Sequence, residues 1–66
     1  MPEVFIHMFE GRNLEQKRKL AAGVTKAVCE ALEVKEDFVT VQLIESSKEN
    51  RAKGGHLFID LHKESK

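Results

Sequence analysis

Two stretches of this chain, EVFIHMF at residues 3–9 and FVTVQLIE at residues 38–45, carry apolar side chains on both parities of an extended backbone. In the first, Val4, Ile6 and Met8 fall on one side and Phe5 and Phe9 on the other, the pattern of a strand covered on two faces. Between the two stretches lies a single amphipathic segment. Leu20, Ala21, Val24, Ala27, Val28, Ala31 and Leu32 recur at three- and four-residue spacings, while Lys17, Arg18, Lys19, Lys26 and Glu30 occupy much of the remaining surface. Asn13 is placed to cap a helix that begins near Leu14, with Gln16 three residues on to complete a capping box, and the apolar stripe runs for about five turns. Strand, helix, strand over this length predicts an α/β fold: a short βαβ unit with a parallel pair and a right-handed crossover. One helix covers only one face of a two-stranded sheet. The other face therefore needs a partner, which predicts a homo-oligomer whose neighbouring subunits supply the missing layer.

Length points the same way. With 66 residues the chain reads as a single domain over 1–66, near the lower limit for a self-sufficient core, and its one cysteine, Cys29, excludes an intrachain disulfide. Eleven Lys plus Arg balance eleven Asp plus Glu, which argues against nucleic acid or an anionic membrane as a partner. No apolar run approaches the roughly 20 residues that span a bilayer, and no basic segment followed by an apolar one opens the chain, so a cytoplasmic protein is expected.

After the second strand, SSKENRAKGG reads as a polar loop closed by Gly54 and Gly55, and HLFIDLH as a strand or hairpin arm in which Leu57, Ile59 and Leu61 alternate with His56, Phe58, Asp60 and His62. On such a strand His56, Asp60 and His62 would share a face, but two-residue steps match no common zinc spacing, and no metal is expected. His7, on the parity of Phe5 and Phe9, reads as a structural or interface histidine. Cys29 reads as a small hydrophobe.

The only proline, Pro2, admits two readings. At the first position of a strand it breaks no ladder hydrogen bond. Once the initiator methionine is removed, it also presents a secondary amine at the chain terminus, the one backbone nitrogen that can act as a general base. With Met1 attached, that nitrogen is a tertiary amide and cannot.

The Met-Pro start, IHMFEGRNLEQK across the end of the first strand and the start of the helix, and the late Gly54-Gly55 pair before a terminal hairpin together resemble the 4-oxalocrotonate tautomerase family over nearly the whole chain. The resemblance implies a βαβ tautomerase fold assembled as a hexamer, a trimer of dimers, with active sites built from more than one subunit. It also implies a cofactor-independent isomerase. Pro2 would move a proton between carbons of a small unsaturated or aromatic 2-oxo or 2-hydroxy acid, and Arg12 would bind the carboxylate of that small-molecule substrate. Two positions depart from the family pattern. Thr40 stands where better-known members carry a carbonyl-polarising arginine, and Arg51 stands where an aromatic residue usually walls the site. Arg51 is thus either a second substrate-binding cation, taking over the electrophilic role lost at Thr40, or a solvated loop arginine. Two further function classes stay open: hydration or dehalogenation by a protonated Pro2 with a water-activating acid, for which Glu49 is nearest in sequence, and a non-enzymatic oligomeric homologue.

Overall fold

The computed structural model describes the backbone of residues 2–64 and the side chains of residues 2–61. Strand β1 (Glu3–Phe9) leads through a turn into helix α1 (Leu14–Leu32). A single 3₁₀ turn, Glu36–Phe38, then precedes strand β2 (Thr40–Ser46). A two-residue hairpin follows, β3 (Ala52–Lys53) and β4 (His56–Leu57), and the chain runs into helix α2 (Phe58–Glu64). Strands β1 and β2 are parallel and in register from Glu3 opposite Thr40 to Phe9 opposite Ser46, so the expected βαβ unit with a parallel pair and a C-terminal hairpin is present.

Helix α1 starts where its cap chemistry starts. Asn13 Oδ1 accepts from the Gln16 amide at 2.8 Å, and Gln16 Oε1 accepts in return from the Asn13 amide at 3.1 Å, so two of the helix's orphan donors are satisfied reciprocally. It ends at Glu33, whose amide bonds the Cys29 carbonyl while its backbone sits at φ 57°, a left-handed conformation that a side chain makes costly.

The alternation of the strands sorts the sheet into two unlike faces. Val4, Ile6, Met8, Val41 and Leu43 are half-buried on the face toward α1, where Lys17 Nζ reaches Glu45 Oε1 at 2.9 Å and ties the helix to β2. The opposite face carries Phe5, His7, Gln42 and Ile44, and Phe5 is 55% exposed. Among the described residues no apolar side chain is fully buried. A compact monomer of 7.5 kDa exposes about 4,200 Å². This chain exposes 5465 Å² and has a radius of gyration of 15.5 Å, against about 11 Å for a compact chain of its length.

Two expectations are corrected. The second strand begins at Thr40 rather than Phe38, because the amides of Phe38 and Val39 bond the carbonyls of Lys35 and Glu36 and are unavailable to a ladder. Pairing starts with the Thr40 amide donating at 3.1 Å to the carbonyl of Pro2, the residue just before β1. The second correction concerns HLFIDLH, of which only His56–Leu57 is strand. Its partner β3 is two residues long, and beyond it the Phe58 and Ile59 amides turn back to the Arg51 and Lys48 carbonyls, at 2.8 and 3.2 Å. Phe58, Ile59 and Leu61 then half-bury one side of a helical turn, which an apolar run of this length permits as readily as a strand. His56 therefore lies in β4 and Asp60 and His62 in α2, and the strand face they were expected to share does not exist. The hairpin turn itself is as the glycine pair requires: Gly54 and Gly55 have φ 61° and 86°, both positive, as the tight mirror-image turns between short strands demand.

Candidate functional site

A parallel pair places its two ends far apart, and the candidate residues divide between them. Pro2 precedes β1 at one end, beside Thr40, whose amide its carbonyl accepts. Arg12 lies beyond the other end, in the turn before the α1 cap. Seven strand residues separate the two by about 23 Å of extended backbone, too far for both to touch one small acid. Within one chain, then, Pro2 and Thr40 are brought together, Arg12 lines a cleft whose walls include Phe9 and Phe58, the rings that Arg51 lies against, and the two groups are kept apart.

The second group is the better furnished. A cleft of about 630 Å³ at the C-terminal end of β1 is lined by Met8, Phe9, Glu10, Gly11, Arg12, Lys48 and Phe58. A smaller one, about 210 Å³, continues from Met8 and Arg12 along the first turns of α1 to Gln16, Lys17 and Leu20. Arg12 thus stands between two clefts that share an apolar wall at Met8. A third, about 370 Å³, lies between the ends of both strands and α2 and includes Glu10, Lys48 and Glu49. None of the three includes Pro2.

Arg51 is exposed and lies away from the Thr40 end, beside two aromatic rings. Its guanidinium carbon lies 5.1 Å from the centroid of the Phe9 ring and 5.7 Å from that of Phe58, and the two rings are themselves 5.1 Å apart with planes inclined by 56°. The loop that carries it is tied at three points. Asn50 donates to the Ser47 carbonyl at 3.0 Å, and the carbonyls of Lys48 and Arg51 receive the first amides of α2. Among the described residues the ion pairs are Lys17 with Glu45 and Arg18 with Glu15, so Arg12, Lys48 and Arg51 keep their donors unpaired.

Nothing in the sequence alone marks Phe9, Lys48 or Phe58 as a site residue. Phe9 reads there as core, Lys48 as one charge in a polar loop, and Phe58 as a strand residue. Only the turn of the chain at Phe58 brings all three to one place. His7 sits on the open sheet face opposite Ile44, and Cys29 is half-buried in α1; neither lines any of the three clefts.

The model of the family described as Tautomerase enzyme matches residues 2–61. A Bacillus cereus protein named "Probable tautomerase" is 43% identical over 60 residues, spanning 91% of this chain and 98% of that one. The 2-hydroxymuconate tautomerase of Bacillus subtilis strain 168 is 39% identical over 61 residues, 92% of this chain and 98% of that one. Among solved structures, the heterohexamer 4-oxalocrotonate tautomerase of Chloroflexus aurantiacus is 31% identical, covers 92% of this chain and 98% of its own, and superposes with a TM-score of 0.85.

Proposed function

This chain belongs to the tautomerase family, and from that premise we propose that it is a cofactor-independent keto–enol tautomerase of small unsaturated or aromatic 2-oxo acids, with Pro2 as the base and Arg12 and Arg51 as substrate-binding cations. The observation that carries this reading is the presence in one chain of this family of a strand-initiating Pro2, exposed as an amine once Met1 is removed, and of Arg12, which has no ion-pair partner among the described residues and lines a cleft walled by Met8, Phe9 and Phe58.

An α-amino group titrates at about 7.7–8.0 in model peptides, and a secondary amine is more basic, so in water Pro2 would be mostly protonated. Burial against apolar side chains with arginines nearby disfavours the ammonium and makes a neutral, accepting nitrogen available near neutral pH. The neutral amine takes a proton from the enol form of the acid, and the ammonium so formed returns it to a different atom of the same conjugated system. No net charge is gained or lost. The substrate's own carbonyl carries the negative charge that develops, and Arg12, with its planar fork of donors, holds a carboxylate bidentately and fixes which atoms face Pro2.

The separation of Pro2 from Arg12 calls for sites shared between chains. A homohexamer of the kind implied by the family resemblance, in line with the heterohexameric assembly of the Chloroflexus aurantiacus relative, would cover the open sheet face and bring one chain's Pro2 to another chain's Arg12. The second reading, hydration or dehalogenation through a protonated Pro2, draws on Glu10 and Glu49, acids at the same end of the sheet as Arg12.

The test is an intact mass of untagged protein followed, on the same sample, by ketonisation of 2-hydroxymuconate and of phenylenolpyruvate, with Pro2→Ala alongside. Loss of Met1, turnover of at least one enol and collapse of that turnover in Pro2→Ala are expected. A methionine-free protein inert toward both enols would overturn the reading.

A further inference from the structure

Arg51 is held in an unusual way for a loop arginine. Its guanidinium rests on two rings at 5.1 and 5.7 Å, while the backbone beneath it is bonded to the start of α2. A cation over ring faces is held by the ring quadrupoles, which use up none of its N–H donors. The donors have no ion-pair partner among the described residues. Phe9 and Phe58, on which the cation rests, are also walls of the cleft that holds Arg12 and Lys48. Three cations with one carboxylate, Glu10, thus meet an aromatic floor at the same end of the sheet, away from Pro2 and Thr40.

That placement bears on what Arg51 can do. A cation that polarised the reacting carbonyl in place of the arginine absent at Thr40 would have to act on the part of the substrate next to the base. Arg51 instead rests on Phe9 and Phe58, walls of the cleft that already holds Arg12 and Lys48, so this end of the chain offers more cations than one carboxylate needs. Resting on the proposed tautomerase reading, we infer that Arg51 is a specificity-determining residue: seated on Phe9 and Phe58, it selects planar conjugated acids that carry an anionic group at the end remote from the proton transfer, over acids that carry a neutral aromatic group there. The rings preset the cation, so little rotamer freedom is lost when it binds, and Lys48 adds charge to the same cleft without a fixed geometry.

Arg51→Met keeps an unbranched side chain able to lie on Phe9 and Phe58 while deleting the charge. The readout is the ratio of kcat/KM for 2-hydroxymuconate, with its second carboxylate, to kcat/KM for phenylenolpyruvate, with its phenyl ring. Loss of one charge-assisted contact predicts that this ratio falls by about 10- to 100-fold, mainly through KM for 2-hydroxymuconate. Arg51→Lys restores charge without the stacked fork and should recover part of the ratio. A parallel fall in kcat for both enols would instead make Arg51 the electrophile, and a ratio within about threefold of wild type would make it a solvated loop residue; either overturns the inference. Binding of cis,cis-muconate by titration calorimetry needs no turnover and separates this claim from the tautomerase reading. Weaker binding to Arg51→Met, again by about 10- to 100-fold, supports it whatever the activity, and equal binding refutes it.

Discussion

Asn13 connects the stability of this fold to the position of its candidate anchor, because Arg12 is the residue immediately before it. Asn13→Ala removes the acceptor of the 2.8 Å bond from the Gln16 amide and leaves the Gln16 side chain without the partner geometry that held its own 3.1 Å bond to the Asn13 amide. Both groups are exposed, so water replaces part of what is lost, and a cost of about 1 kcal/mol per chain is expected, in the middle of the range for such caps. For a domain of this size that is about 4–8 °C in Tm, measured at one fixed protomer concentration because association adds to the apparent stability. Asn13→Gly supplies the same extended backbone without the acceptor and should lose only a few tenths of a kcal/mol. Gln16→Ala removes the return bond alone, and the double substitution should cost less than the sum of the singles, since either one opens the box. Fraying of the first turn also loosens Arg12, so KM for a carboxylate substrate should rise several-fold with little change in kcat. A Tm for Asn13→Ala within about 1 °C of wild type, or a Gly variant as destabilised as the Ala variant, would refute this account of the helix start.

Glu33→Gly should stabilise the protein by up to about 1 kcal/mol, read in a denaturant titration, because Glu33 sits at φ 57° and glycine adopts that conformation without a Cβ penalty. A loss of stability would show that the Glu33 side chain contributes more than its backbone costs. Phe5→Lys places a charge on the open sheet face, where the side chain is 55% exposed in the single chain, and should reduce the assembly to smaller species by light scattering after gel filtration. An unchanged mass would mean that this face is not where subunits meet.

The elements that local rules govern are legible in the amino-acid sequence. Asn13 with Gln16 marks the helix start, the apolar stripe ending at Leu32 marks its end, and EVFIHMF is a strand at the boundaries expected. The segment after Gly55 is not legible in the same way, since Leu57, Ile59 and Leu61 at alternate positions fit a strand while Phe58, Ile59 and Leu61 fit a helical turn. What decides between them is the two-residue length of β3, a tertiary fact. The start of β2 is likewise set by where the chain entering β1 offers its first acceptor, the Pro2 carbonyl. For the site, Pro2 stands out by its position and Arg12 and Arg51 only through the family resemblance, while the ring pair under Arg51 depends on Phe58 returning to Phe9, which no spacing rule forecasts. The two-sided apolar pattern of the strands reads as one covered and one open face, in keeping with the excess surface of the single chain.

If one chain's Pro2 works with another chain's Arg12, co-production of Pro2→Ala and Arg12→Ala protomers with distinct C-terminal tags restores sites that neither variant can form alone. Each variant alone should be nearly inactive in enol ketonisation. In mixed assemblies isolated through both tags, about a quarter of randomly paired sites join an intact proline from one chain to an intact arginine from another, so activity should return to a comparable fraction of wild type. Mixed assemblies no more active than their parents would contradict the account.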